Sequence, residues 1–179
     1  MTRQQSRSAR GFALIDMIFV CGIIGILAVI ALPRLLLAKQ AAGAASAIGS
    51  LRAINSAQLT FALTCGAGFY APDLTTLGTA PPTGREAFIS PTLGSANSVV
   101  RSGYTIQVSA TPYAGAPASC NGLAAGQAGQ AFKAGADPTE PSNTRFFAAN
   151  ANSLIWEDTA TLFPTMPEVG DAPSGHTIR

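Results

Sequence analysis

The chain has 179 residues, of which 47% are hydrophobic and only 11% are charged. This length accommodates one modest domain with an appendage, since domains typically have about 100 to 150 residues. Arg3, Arg7 and Arg10 precede Gly11, and the other eight basic residues are outnumbered by the nine acids. No Lys or Arg cluster follows, which disfavours a nucleic-acid partner bound through its phosphates.

A basic leader is followed by a long apolar run. Met1–Arg10 carries three arginines and no acid, which is typical of a cytoplasmic flank under the positive-inside rule. Residues 12–32 contain a single charge, that of Asp16. As a helix, these roughly 21 residues would span about 30 Å, the thickness of the hydrocarbon core of a bilayer. We therefore predict a membrane-spanning helix whose N-terminus lies inside the cell.

The helix is predicted to continue beyond the membrane segment. Pro33 should kink or loosen it without ending it, because the sequence stays rich in Ala, Leu and Gln. At 100° per residue the second half has an apolar face and a polar face. The apolar face has Ile48, Leu51, Ile54, Phe61 and Cys65, and the polar face has Ser46, Arg52, Ser56, Thr60 and Thr64. We predict one helix from Phe12 to about Thr64. Gly66 and Pro72 would end it.

The sequence after the long helix predicts a loop and a small antiparallel sheet. The loop runs to about Ser98, with one helical turn near residues 86–89. Alternating apolar residues predict four strands: residues 103–110, a hairpin of residues 145–149 and 153–157, and a weaker strand at residues 130–134. The amphipathic half of the long helix is the element able to cover this sheet, which gives an α+β fold.

The three cysteines differ in their surroundings. Cys21 lies in the apolar run, whereas Cys65 and Cys120 lie in the polar remainder. In an exported chain the oxidising environment would preserve a disulfide between Cys65 and Cys120. It would close a loop of roughly 55 residues and contribute about 4 kcal/mol in the chain-entropy model. The alternative is two free thiols.

Residues that carry chemistry are sparse. The sequence has no GxSxG, phosphate-binding loop or HExxH motif. The one histidine, His176, lies in a polar tail without a second ligand at metal-binding spacing. We interpret the acidic pairs Glu157 with Asp158 and Glu168 with Asp171 as solvated surface charge. The chain is therefore predicted not to be an enzyme and to bind no metal or cofactor. Four aromatic residues could in principle stack on nucleic-acid bases, but we expect them to pack in the core and the hairpin instead. They are Tyr104, Phe146, Phe147 and Trp156.

The N-terminus resembles that of type IV prepilins. The resemblance covers Gly11 to Leu36: a basic leader ending in glycine, then Phe12, an acid at Asp16, and the apolar run. It implies cleavage between Gly11 and Phe12 by a prepilin peptidase and N-methylation of Phe12. The family usually has glutamate where Asp16 stands, so this chain keeps the charge with one methylene fewer. Pro33 matches the proline at which the helix loosens in the family's filaments.

The resemblance also implies an organisation and a life cycle. Residues 1–11 would be the leader peptide, 12–33 the transmembrane and filament-core helix, 34–64 the amphipathic half, and 65–179 the globular pilin head. The precursor would lie in the bacterial inner membrane. After processing, pilus assembly machinery would polymerise it into a homo-oligomeric, extracellular helical filament.

The charge of Asp16 has a physical explanation within this resemblance. A carboxylate near the membrane centre costs about 2.5 to 3.5 kcal/mol on insertion scales, so it persists where it has a partner. Cleavage would create one, because the new amine of Phe12 is cationic below its pKa of about 8. We hypothesise that Asp16 of an incoming subunit pairs with the Phe12 amine of a neighbour and sets the axial register.

Three alternatives remain open. A secretory signal would be cleaved after Ala31, but its apolar region would be unusually long and would contain Asp16. A signal anchor could hold a periplasmic binding module that never polymerises. These alternatives predict Leu32 and Met1, respectively, as the mature N-terminus. Within the family, the alternative is a pseudopilin of a type II secretion system. The major pseudopilin of such a system usually has the sequence Asp-Pro-Trp-Gly. Here Asp137-Pro138 is not followed by Trp-Gly, which favours a pilus.

Overall fold

A computed structural model describes residues 14–82 and 86–178. The helices are α1 (Leu14–Thr64) and α2 (Leu74–Gly78), and the strands are β1 (Ser98–Arg101), β2 (Tyr104–Ser109), β3 (Lys133–Pro138), β4 (Phe146–Asn150), β5 (Ile155–Asp158) and β6 (His176–Ile178). The chain divides into two compact units, which we call the N-terminal unit (Met1–Lys39) and the head unit (Gln40–Arg179). A long apolar N-terminal helix and an antiparallel sheet give the α+β arrangement that the sequence predicts.

The C-terminus of α1 is closed by its own backbone. The amides of Cys65 and Gly66 donate to the carbonyl of Phe61 at 2.8 and 2.7 Å. Gly68 then adopts a left-handed conformation with φ of 92°, which glycine tolerates without a steric penalty. The prediction of one long helix ending near Thr64 is confirmed over the described residues.

The sheet is a meander in which each strand pairs with the next one along the chain. The order is β1-β2-β3-β4-β5-β6 and every pair is antiparallel. Ser102 and Gly103, with φ of 51° and 80°, form the tight turn between β1 and β2. Strands β2, β4 and β5 lie where the alternating residues predict them. The weaker predicted strand exists as β3, but it begins three residues later than predicted, at Lys133.

Three short elements were not predicted. β1 and β6 are edge strands without a fully buried residue, so they lack the alternation that identifies a half-buried strand. α2 is a five-residue helix whose first turn is capped by Asp73, which accepts from the amide of Thr76 at 2.8 Å. The predicted helical turn near residues 86–89 was wrong. The amides of Phe88 and Ile89 instead donate to the carbonyl of Leu77, so this segment docks on α2.

One face of the sheet packs against the part of α1 that lies in the head unit. Of the predicted apolar stripe, Ile48 is partly buried and the other four residues are buried. They meet the residues of β2, β3 and β4 that alternate toward this face. At Gly43 an added Cβ would lie 2.8 Å from the carbonyl oxygen of Ser102, so glycine lets α1 approach the β1–β2 turn.

The opposite face of the sheet is covered by residues 159–173. Leu162 is buried against Ala148 of β4. Phe163 lies over Gly135 of β3, where an added Cβ would meet the Cβ of Phe163 at 2.7 Å. No element was predicted for this segment, yet it forms the third layer of the head unit. The small residues of β3 and β4 make room for it.

A buried glutamine joins α1 to the loop before α2. Gln58 is fully buried, its Nε2 donates to the carbonyl of Ala71, and its Oε1 accepts from the amide of Ala71, both at 2.9 Å. Both backbone groups of Ala71 therefore depend on one side chain. Buried polar groups that lose their partners cost about 1 to 3 kcal/mol each.

Replacing this glutamine should destabilise the head unit strongly. We expect Gln58→Leu to lower the free energy of unfolding by about 2 to 4 kcal/mol, because the amide and carbonyl of Ala71 would remain buried and unpaired. Urea titration of the detergent-solubilised full chain, followed by circular dichroism, measures this. Gln40→Leu is the control, since Gln40 makes only an exposed 3.4 Å contact with Ser142. Equal losses in the two variants would contradict this role of Gln58.

Candidate functional site

The N-terminal unit exposes a long apolar surface. Every large apolar side chain between Leu14 and Leu37 is exposed, for example Leu14 at 75% and Val29 at 72%. The mean hydropathy of the most apolar 18-residue stretch of α1 is 2.8, and none of that stretch is buried. The helix is thus long and apolar enough to cross a membrane. We expect lipid or other apolar helices to cover this surface.

Asp16 lies in the first turn of α1 and is exposed. It is the one charged residue of the described stretch 14–33, and at helical spacing its neighbours are Phe19, Val20 and Ile23. A negative charge near a helix N-terminus gains about 0.3 to 1 kcal/mol from the helix dipole. That gain is smaller than the roughly 2.5 to 3.5 kcal/mol that a carboxylate costs in a membrane. Enclosed by lipid or by other apolar helices, Asp16 would therefore need a cation to offset the loss of its hydration.

The other residues of the predicted processing site are not all within the described part of the chain. Gly11 and Phe12 lie outside the described residues, so cleavage between them and N-methylation of Phe12 stay predictions. Pro33 lies inside α1, which continues through it. Proline lacks the amide hydrogen that would bond to the preceding turn, so the helix loses one backbone hydrogen bond there without ending.

Cys65 and Cys120 form a disulfide with a sequence separation of 55. The amide of Cys120 also donates to the carbonyl of Cys65 at 3.2 Å. The predicted pairing is confirmed, and the alternative of two free thiols is wrong. Cys21 is the free cysteine and is exposed in the N-terminal unit. The bond fixes the end of α1 to the long connection between β2 and β3.

Three side chains form a cluster from the residue before β4 across β5 to β6. The guanidinium of Arg145 donates from Nε to Oε1 of Glu157 and from Nη2 to Oε2, the latter at 3.1 Å. Nε2 of His176 lies 4.0 Å from Oε2 of Glu157. Glu157 was predicted to be a solvated surface charge, and this is wrong because both of its oxygens are paired. His176 is exposed as expected, but it belongs to β6 rather than to an unstructured tail.

The other three predicted surface acids also differ from one another. Ser174 and the amide of Thr159 donate to Asp158. Oε1 of Glu168 accepts from the amide and hydroxyl of Thr111, at 2.7 and 2.8 Å. Within the described residues Asp171 has no side-chain hydrogen bond or ion pair, as the surface interpretation predicts.

The Arg145–Glu157 pair should make the stability of the head unit depend on pH. The hydrogen bond from Arg145 lowers the pKa of Glu157 from its ordinary value of 4.5, against an opposing effect of burial. The pair therefore stabilises the fold above about pH 4.5 and loses this contribution as pH falls through the lowered pKa. Burial raises the pKa of Asp137, so protonation of this residue favours the folded state as pH falls, opposite to the effect of Glu157. The contribution of the pair must therefore be isolated by comparing wild type with a variant. We expect Arg145→Met to reduce the loss of stability on acidification, as measured by urea titrations at pH 7, 5 and 3. Parallel losses in both proteins would contradict this.

The aromatic residues lie in packing positions. Tyr104 and Phe147 are buried with ring centroids 5.7 Å apart, and the hydroxyl of Tyr104 accepts from Nδ2 of Asn143 at 2.9 Å. Trp156 is partly buried beside Leu162. In the described part of the chain, no group of three or more His, Cys, Asp or Glu residues could hold a metal ion.

The sequence analysis did not identify two residues whose side-chain amides are structurally important. Gln58 holds both backbone groups of Ala71, as described above. Asn150 is fully buried and its Nδ2 donates to the carbonyls of Pro167 and Gly170, at 3.1 and 2.7 Å. A single buried Asn or Gln does not change the hydrophobic period of a helix or strand. The sequence therefore does not indicate that either residue is buried.

The functional features of the described chain are thus the exposed apolar part of α1, its acid Asp16 and the disulfide-closed head unit. The chain gives no match to protein-family models, to curated proteins or to solved structures. Its function is therefore inferred from its own residues.

Proposed function

We propose that this chain is a structural subunit of a type IV pilus, a pilin that is cleaved to begin at Phe12 and polymerises into a helical filament. The observation that carries the proposal is an exposed apolar helix with one acid in its first turn. Such a helix serves both stages of the proposed life cycle. It holds the precursor in the inner membrane and later packs with its copies in the filament core.

A membrane anchor alone explains the apolar surface but not Asp16. An anchor without the acid would insert more favourably, since a carboxylate costs up to about 2.5 to 3.5 kcal/mol on insertion scales, the value at the centre of the membrane. In a bundle of processed subunits, the carboxylate of Asp16 would meet the ammonium of Phe12 of a neighbour. A buried pair contributes little net stability, but a wrong register leaves both charges unpaired at several kcal/mol each. The pair therefore selects one register.

The head unit supports an extracellular location. Disulfides persist in oxidising compartments, and Cys65–Cys120 closes a long loop of the head. The head also has both sheet faces covered, by α1 and by residues 159–173. It would form the outer surface of the filament, while open-ended contacts between identical subunits produce a fibre rather than a closed ring.

Shearing and imaging of cells that express the chain test the proposal. We expect the chain in extracellular fibres that pellet after shearing and label with an antibody to the head. In a strain without prepilin peptidase, the uncleaved chain should stay in the inner membrane and no fibre should form. Detergent-soluble monomers in both strains would overturn the proposal in favour of an anchored binding module. Fibres confined to the envelope would instead favour a pseudopilin.

A further inference from the structure

A groove of about 480 Å³ lies in the head unit between α1, the segment before β1, and the end of β1. Gly49 and Ala53 of α1 line it together with Phe88 and Leu93 of the loop. Arg101 is its one charged lining residue. Within the described residues the exposed side chain of Arg101 makes no hydrogen bond or ion pair. The lining therefore combines apolar side chains with three serine hydroxyls and one unpaired positive charge.

An exposed loop with an unpaired acid lies elsewhere on the same unit; we call it the acidic loop. Val169 is 61% exposed, and Asp171, two residues later, is exposed without a partner among the described residues. The loop between them is held in place by buried Asn150, which donates to the carbonyls on either side of Val169, those of Pro167 and Gly170. A loop ordered in advance loses little conformational entropy when it binds.

The groove and the acidic loop lie at opposite ends of β2. Arg101 ends β1, just before the turn into β2, whereas Glu168 binds Thr111, which follows β2. The six residues of β2 separate them by about 20 Å. Two complementary surfaces at opposite ends of one molecule form a heterologous contact, which repeats without closing.

We propose that heads of adjacent copies bind head to tail, with Val169 of one copy in the groove of the next and Asp171 paired with Arg101. This inference rests on the proposed filament function, because it describes a contact within that polymer. Val169 would supply apolar burial. The exposed ion pair adds little affinity and mainly fixes orientation, since like charges at this point would repel.

Cysteine crosslinking of the full chain tests the contact. In a Cys21→Ala background that keeps the native disulfide, a chain with both Arg101→Cys and Asp171→Cys should give a ladder of oligomers when sheared fibres are mildly oxidised. Each single variant alone should give none, and the two single variants expressed together should give only dimers. Leu154→Cys with Asp171→Cys is the matched control without a ladder, since Leu154 is exposed in the β4–β5 turn at the end away from the groove.

A charge exchange keeps the test decisive if the cysteine variants fail to assemble. We expect Arg101→Asp or Asp171→Arg alone to lower the fibre yield about tenfold, and both together to restore it to within about twofold. If the wild-type strain forms fibres but the double-cysteine chain gives no ladder and the charge exchange restores no yield, the contact alone is overturned. A wild-type strain without fibres overturns the proposed function and this contact with it.

Discussion

Asp16→Ala is expected to insert into the membrane and to be cleaved like the wild-type chain, yet to form no fibre. In the proposed filament, the ammonium of Phe12 would then be buried without a partner, which would cost about 3 to 5 kcal/mol. Since 1.4 kcal/mol corresponds to a tenfold change, addition of each subunit weakens by a factor of about 100 or more. Quantifying the chain in the sheared fraction and in the membrane fraction measures this.

Two matched variants separate charge from size at this position. Asp16→Glu keeps the charge and supplies the residue that the prepilin family usually has, so it should assemble. Asp16→Asn keeps the size without the charge, so it should fail as Asp16→Ala does. Wild-type fibre yields from both uncharged variants would show that the acid has no role in assembly.

The second large effect is expected from loss of the disulfide. Cys65→Ser should lower the free energy of unfolding by about 4 kcal/mol, because the native bond closes a loop with a sequence separation of 55. At roughly 2 to 4 °C per kcal/mol for a chain of this size, the unfolding temperature should fall by about 10 °C. Thermal unfolding of the detergent-solubilised full chain, followed by circular dichroism, measures the shift.

Cys21→Ala is the control for this variant. Cys21 is exposed in the N-terminal unit and belongs to no disulfide, so its replacement should leave the unfolding temperature unchanged. Adding a reductant to the wild-type chain should reproduce the shift of Cys65→Ser. An unfolding temperature that responds to neither the substitution nor the reductant would show that the bond does not constrain the head.

The parts of the fold that the sequence predicts are those with a strong period. α1 has a continuous apolar run followed by an apolar stripe, and β2 alternates buried and partly buried residues along its whole length. β1 and β6 were missed because short edge strands bury little. No element was predicted for residues 159–173, because their buried side chains, such as Leu162 and Met166, follow no helical or strand period.

The candidate sites divide in the same way. Asp16 is evident from the sequence, since one acid interrupts a long apolar run. The disulfide partners follow from the contrast between Cys21 and the two other cysteines. The groove beside Arg101 could not be predicted, because it joins residues from α1, a loop and β1 that are far apart in the chain. The roles of Gln58 and Asn150 likewise depend on tertiary contacts alone.

The most direct test is the mass of the N-terminal peptide of the mature chain. The central claim is that Asp16 pairs with an amine that exists only after the leader is removed. Mass spectrometry of the chain purified from sheared fibres should therefore find a peptide that begins at Phe12 and carries one added methyl group. A mature chain that begins at Met1 or at Leu32 would contradict the claim, because the amine required by Asp16 would then not exist.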